Sequence, residues 1–371
     1  MSKKRICLLF GGKSGEHEIS LQSAKAVYEA LDKNKYDVTL IGIDKQGHWL
    51  LGDGATYLLQ AQDYKTTKLN TAAMQAIVPA PKVGAASLVA QENGQEVGTI
   101  DLVMPIMHGP FGEDGKLQGM LECLGVPYVF SGVLASALGM NKYKAKLVAS
   151  KAGLKTAADI ALTRGADFNL ENIIRELSLP VVVKPNELGS SVGMTIAKTK
   201  EELERGMEIA FKHDEQIILE QFIAGRELTV PVMGNNPAEA LPVIEIIPKV
   251  SAWFDYKAKY EPGGSDEVCP AQIPDDVRRR AQADAVKIFQ ALGCADLARV
   301  DFIWSKDDGQ LYFLEINTIP GLTGASLTPK AAQAAGMSFS EFLDKLIELA
   351  VARQKNKKTI RKLWILYLGW K

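Results

Sequence analysis

Residues 5–10, Arg-Ile-Cys-Leu-Leu-Phe, put five apolar side chains in an unbroken row. A strand with one wet face alternates polar and apolar residues, so an unbroken row marks a strand covered on both faces, as in a parallel sheet. Gly11-Gly12-Lys13-Ser14-Gly15 breaks the run, and Ser20 is placed to cap a helix carrying Leu21, Ala24, Val27, Tyr28 and Leu31 on one side. Val38–Ile43 is the next strand. This strand–helix–strand order predicts a doubly wound α/β domain over residues 1–138. Within it, Ile100–Met107 is a further buried strand that ends at His108-Gly109, and the Gly- and Gln-rich residues 52–98 form an insertion of short elements.

The chain continues as two more units, the 371 residues being enough for two to three cores. Residues 139–224 read as a small α+β domain: a Lys-rich helix over 141–153, strands at 179–184, 194–197 and 216–223, and an amphipathic helix at 200–212. Residues 225–352 read as a third domain with strands at 226–234, 240–248, 298–304 and 311–316, a helix at 275–292 and a closing helix near 338–352. The fold class is thus α/β and α+β in three domains.

Charge and cysteine content exclude several functions. With 43 Lys and Arg against 44 Asp and Glu, the chain is no polycation built for nucleic acid. Residues 353–371 form a basic and aromatic tail with no acid, expected to be solvated and given no role. No apolar run approaches the about 20 residues of a membrane span, and Lys3-Lys4-Arg5 leads into a short strand and not a signal peptide, so the expected location is cytoplasmic. Cys7, Cys123, Cys269 and Cys294 lie far apart, which predicts reduced, mostly buried thiols and neither zinc nor disulfides.

Two nucleotide signatures fail on spacing. Gly12-Lys13-Ser14 would need a glycine where Cys7 stands to be a Walker A loop, and no G-x-G-x-x-G follows a strand. More informative is Lys184-Pro-Asn-Glu-Leu-Gly-Ser-Ser-Val-Gly-Met194, with a strand on each side. Its glycines let backbone N–H groups approach an anion, Ser190 and Ser191 add donors, and Lys184 adds charge. A plain hairpin with a polar tip is the alternative reading.

The strongest constellation lies at 298–317. Arg299 and Asp301 alternate with Val300 and Phe302 on one run, and Glu315 and Asn317 share a face of the other. Asp307-Asp308-Gly309 between them reads as a hairpin turn, which brings Asp301 roughly opposite Glu315. Facing carboxylates repel unless a cation sits between them. Oxygen donors without His or Cys point to Mg²⁺ or Mn²⁺ bridging phosphates, and Arg299 is placed to stabilise charge on a transferred group. A solvated acidic face with an Arg–Asp pair is the plainer alternative.

Together, Gly11–Leu21, His108–Gly115, Lys184–Met194, Ala258–Tyr260, Arg299–Asp301 and Glu315–Gly321 resemble the ATP-grasp superfamily, specifically the D-alanine–D-alanine ligases, from residue 1 to about residue 350. The resemblance implies a three-domain ATP-grasp fold with an N-terminal pre-ATP-grasp domain. It implies ATP-dependent joining of two D-alanines through an acyl phosphate, for peptidoglycan precursor synthesis. It implies that Glu16 holds the ammonium of the first D-alanine, that Ser190 and Tyr260 bond to Glu16, and that His108 stands beside that substrate. Lys142, or its neighbour Lys144, and Lys184 would reach the ATP phosphates. Glu220, Gln221, Phe222 and Ile223 would meet adenine, mainly through backbone, and Glu227 the ribose. Lys259, in a lid over 251–269, is assigned to ATP and substrate. Asp301, Glu315 and Asn317 would hold two Mg²⁺ or Mn²⁺ ions, Arg299 and the Gly321 N–H would form the oxyanion hole, and Ser326 and Leu327 would grip the second D-alanine. A two-fold homodimer is common in the family. Tyr260 favours a dipeptide over a D-lactate ester. Another carboxylate–amine ligase and a nucleotide-binding module without chemistry are the rival readings.

Overall fold

The computed structural model describes residues 3–52, 74–82, 85–249 and 263–367, with 82, 85 and 357–367 described by backbone alone. Three sheets organise it. The first runs in the order β6-β5-β4-β3-β2-β1-β7. It contains β1 (Lys4–Gly11), α1 (His17–Ala30), β2 (Tyr36–Ile43), β3 (Trp49–Leu51), β4 (Gln75–Lys82), β5 (Ala85–Ala90), β6 (Glu96–Ile100) and β7 (Leu102–Ile106), followed by α2 (Lys116–Leu124). β1 lies between β2 and β7, parallel to both, and Ile6 through Phe10 are fully buried, as two covered faces require.

Some expected boundaries move for local reasons. The helix starts at His17, not behind a Ser20 cap. The Ser20 hydroxyl accepts the Gly11 N–H at 2.7 Å and donates to the Ile106 carbonyl, so it joins α1 to the ends of β1 and β7. The strand expected over 100–107 divides at Asp101, whose carboxylate takes the Arg5 backbone N–H at 3.0 Å and its guanidinium at 2.6 and 3.0 Å.

Next come α3 (Val133–Met140), α4 (Lys142–Lys151) and β8 (Lys155–Thr156). Although sequence grouped residues 139–156 with the glycine-rich unit, Ala145, Ala149 and Leu154 share a core with the third sheet, and β8 pairs with β18 there. The second sheet, β11-β10-β12-β9, uses β9 (Asp159–Thr163), α5 (Leu170–Leu177), β10 (Val181–Pro185), β11 (Thr195–Ala197), α6 (Lys200–Phe211) and β12 (Gln216–Gln221). β9 was not anticipated. The Gly/Ser loop joins β10 to antiparallel β11, so it is the expected hairpin flap.

The third sheet is β16-β15-β13-β17-β18-β8, with β14 on β13. Its elements are β13 (Gly225–Gly234), β14 (Ala238–Ala240), β15 (Ile244–Pro248), β16 (Ser265–Val268), α7 (Asp275–Leu292), β17 (Asp296–Ser305), β18 (Leu311–Asn317), α8 (Leu327–Ala334) and α9 (Phe339–Tyr367). The strand expected over 240–248 is split, because Pro242 has no N–H to continue a ladder. The tail expected from residue 353 onward is a continuation of α9. Arg353 is built in: it donates to the carbonyls of Tyr128 and Phe130 at 2.7 and 2.8 Å and to buried Asp296 at 2.9 Å. All four cysteines are unpaired, but only Cys7 and Cys294 are buried, whereas Cys123 is exposed. No helix among the described residues is long and apolar enough to cross a membrane.

Candidate functional site

β17 and β18 carry the acidic centre. Trp304↔Leu311, Ile303↔Tyr312 and Phe302↔Phe313 pair in simple register, and then a bulge after Asp301 skips Leu314. The extra residue pairs Asp301 with Glu315 and Arg299 with Asn317. Without it Asp301 would face Leu314, on the opposite side from Glu315; bulges re-aim side chains in this way. The Arg299 guanidinium grips Asp301 with two bonds, 2.9 and 2.7 Å, and the Asn317 amide donates to Asp301 at 3.3 Å. Burial works against the charge of Arg299, but the Asp301 carboxylate more than offsets it, and the guanidinium stays firmly protonated. Thr229 also donates to Asp301.

These three residues suit a hard cation. Two carboxylates and one amide supply oxygen donors only, and because the Asn317 nitrogen is turned to Asp301, its oxygen is directed elsewhere. The Lys142 ammonium lies 3.6 Å from Glu315, so a mobile cation would share that carboxylate with a fixed one.

Two cavities meet at Glu315, which lines both. The larger, about 580 Å³, is lined by Glu16, His108, Ser190, Arg299, Asn317, Gly321, Ser326 and Leu327. The smaller, about 150 Å³, is lined by Lys142, Lys184, Ser191, Glu220 through Ile223, Glu227 and Asp301. Ser190 and Ser191 are adjacent in the flap yet face different cavities. Both are left-handed, with φ of 52° and 57°, an uncommon backbone for non-glycine residues that is concentrated at functional sites.

Glu16 heads α1 and receives the Ser190 hydroxyl as donor across the cleft. The close approach needs glycine around it. A Cβ at Gly109 (φ +74°) would stand 2.8 Å from a Glu16 oxygen, and one at Gly189 would stand 3.2 Å away. His108 is buried, with Nδ1 donating to the Ile319 carbonyl at 3.1 Å and Nε2 3.4 Å from the Ser23 hydroxyl. Burial holds its pKa below the ordinary imidazole value, despite the opposing charge of Glu16.

Lys142 and Lys144 separate cleanly. Lys142 is buried in the smaller cavity and donates to the Leu188 carbonyl at 2.6 Å, whereas Lys144 is exposed beside the Tyr143 ring. Asn186 secures this corner: it accepts the Tyr143 N–H at 2.9 Å, and its own carbonyl accepts the Lys142 N–H at 3.1 Å. Lys184 is bound to Glu220 at 2.7 Å, and Lys146 holds the other oxygen of Glu220 at 2.8 Å. Burial opposes the Glu220 charge, but the two ammonium groups outweigh it and bring its pKa down to about 2. The N–H groups of Gln221 and Phe222 are taken by the carbonyls of Ala158 and Pro180, while Ile223 has no such partner among the described residues. The Gln221 side chain is exposed.

At the far end, the Ser326 hydroxyl is 2.8 Å from that of Thr323 and accepts the Thr323 N–H at 3.0 Å, ahead of α8. Lys259 and Tyr260 lie outside the described residues, and with them most of the expected lid. Sequence reasoning missed Glu113, Asn186 and Lys146. Glu113 and Asn186 lay within quoted motifs and Lys146 within the Lys-rich helix, but none was given a role, since their partners come from distant segments.

Comparison with known proteins gives a consistent result. The family model for the N-terminus of D-ala D-ala ligase matches residues 5–131, and that for its C-terminus matches residues 148–348. A D-alanine–D-alanine ligase of Shouchella clausii is 41% identical over 364 residues, covering 97% of this chain and 98% of its own. Among solved structures, the D-alanine–D-alanine ligase of Coxiella burnetii matches with a TM-score of 0.86 at 31% identity over 100% of both chains. A Bacillus anthracis D-alanine–D-alanine ligase complexed with ATP matches with a TM-score of 0.70 at 29% identity, over 95% of this chain and 99% of that one.

Proposed function

The chain belongs to the D-alanine–D-alanine ligase family, and we propose how its residues divide the labour of that reaction. It is an ATP-grasp ligase that joins two D-alanines for peptidoglycan precursors. The carboxylate of the first D-alanine attacks the γ-phosphorus of ATP, and ADP leaves. The amine of the second attacks the resulting acyl phosphate, a C–N bond forms and inorganic phosphate departs. A free carboxylate is a poor acyl donor, and the site therefore has to hold both phosphate and oxyanion.

Adenine docks against Glu220, Phe222 and Ile223 in the smaller cavity, with Glu227 at the ribose. Lys142, Lys184 and the flap N–H groups hold the phosphates. Asp301, Glu315 and Asn317 would hold two Mg²⁺ or Mn²⁺ ions, whose charge neutralises the phosphate oxygens when bound. In the larger cavity Glu16 takes the first ammonium and Ser190 orients Glu16. Arg299 and the Gly321 N–H receive the developing oxyanion, and Ser326 with the Leu327 N–H receives the second carboxylate. Lys259 and Tyr260 keep the roles that the resemblance gives them. We assign first-substrate binding to residues 1–138, the flap to the unit over 139–224, whose first residues, 139–156, pack on the third sheet, and the ion site and lid to 225–352; we take the enzyme as cytoplasmic, and a homodimer is the assembly common in the family.

One observation carries this reading. Successive flap residues, Ser190 and Ser191, face the two cavities, so a nucleotide in one and an amino acid in the other meet at a single peptide. With ATP, Mg²⁺ and D-alanine, the purified protein should release phosphate in step with dipeptide. Absence of phosphate release with any D-amino acid would overturn the reading. Offering D-lactate as acceptor from about pH 6 to about pH 9 tests acceptor choice, because the amine must be neutral to attack.

A further inference from the structure

Ile319 sits two residues before Gly321, and both of its backbone polar groups are held by one loop of the first domain. Its carbonyl accepts His108 Nδ1–H at 3.1 Å, and its N–H donates to Glu113 Oε1 at 3.1 Å. The other oxygen, Glu113 Oε2, accepts the Gly109 N–H at 2.7 Å. Glu113 is buried at 9% exposure and lines the larger cavity with Glu16, His108 and Arg299. A buried carboxyl group is costly unless its bonds are made, and here each oxygen accepts a backbone donor from a different loop.

We propose that Glu113 is a positioning residue of the ligation: with His108 it clamps the backbone of Ile319 on both sides of its Cα and so fixes the Gly321 N–H relative to the wall that holds the first D-alanine. The inference rests on the oxyanion role given above to Gly321 and Arg299. The two loops come from different sheets, and their relative placement is set by side chains and not by a shared strand. An oxyanion donor acts only within hydrogen-bond reach of the position the oxygen will occupy, and an error of about 1 Å there can cost about 10²-fold. The groups facing Glu113 are Glu16 and Arg299. Burial and then the Glu16 charge push its carboxyl up to about 8, against the pull of the two N–H bonds and Arg299.

The test is Glu113→Gln, which keeps the size of the side chain but turns an NH₂ group toward one of the two N–H donors. Dipeptide turnover should fall about 10²-fold with little change in the KM for ATP. The phosphate-to-dipeptide ratio should rise above one, since an acyl phosphate formed beside a displaced oxyanion donor is lost to water. Glu113→Ala should show the same uncoupling more strongly. A merely structural Glu113 would lower the melting temperature and leave the ratio at one. Wild-type turnover and a one-to-one ratio in folded Glu113→Gln would overturn the proposal. Failure of the wild-type enzyme itself to make dipeptide would instead strike the reading beneath it.

Discussion

Ser190 donates its hydroxyl to Glu16 across 174 residues of chain, joining the hairpin flap to the head of the first helix. The bond spans the cleft between two sheets at the wall of the larger cavity, while the next flap residue, Ser191, lines the smaller one. If Glu16 holds the first ammonium as proposed, the flap is tied to the group that binds substrate.

Ser190→Ala removes this donor and leaves the backbone N–H groups of the flap. A hydrogen bond to a charged group is worth about 1.5–3 kcal/mol, so kcat/KM for D-alanine should drop by roughly 10- to 100-fold. The KM for ATP should change much less. Steady-state kinetics with each substrate varied in turn checks the split.

Glu315→Gln keeps the shape of the side chain and removes a charge that faces both cavities. Turnover should fall by at least about 10²-fold while the melting temperature barely moves, because the side chain is proposed as a cation ligand and is not a core contact. Titration of the variant with Mn²⁺ should show weakened binding. Near-normal turnover would mean that the hairpin site is misassigned.

Glu220 gives a pH dependence whose sign follows from its depressed pKa of about 2, set by Lys184 and Lys146 against the cost of burial. The ion pairs stabilise the folded chain above the ordinary carboxylate pKa. Their contribution, on the order of 3 kcal/mol, is lost as pH falls from the unfolded value toward 2. Urea unfolding across this acid range should show the loss in the wild type. Glu220→Gln should be less stable at neutral pH and should lack that component of the acid slope.

Arg353→Ala strands a buried carboxylate. Asp296 loses its cation, and the Tyr128 and Phe130 carbonyls lose their donor. Breaking a buried pair by removing one partner costs about 3–5 kcal/mol. Thermal unfolding should shift downward by several degrees, with KM for both substrates little changed in the fraction that folds. An unshifted transition would show that α9 needs no such anchor.

The buried row at Ile6–Phe10 announces a parallel strand because two covered faces leave no room for polar alternation. The flap is equally legible, since Gly and Ser between apolar runs can only turn the chain. At the acidic hairpin, period-two alternation already puts Glu315 with Asn317 and Arg299 with Asp301, as any strand must. Folding about the turn at 307–309 also sets Asp301 opposite Glu315, as the register bears out; what counting along the strands does not supply is the bulge at Leu314 that reconciles this pair with Trp304↔Leu311.

The remaining surprises share one origin. Glu113, Lys146 and Asn186 look like ordinary polar residues because their partners, Ile319, Glu220 and Tyr143, belong to other segments. Arg353 looks like part of a basic tail until Asp296 is seen beneath it. Residue type and spacing thus specify strands, turns and the class of chemistry, which depend on neighbours a few positions away. Which carboxylates are buried, and which cations neutralise them, depends on segments brought together from opposite ends of the chain, where the cost of removing charge from water selects the pairings.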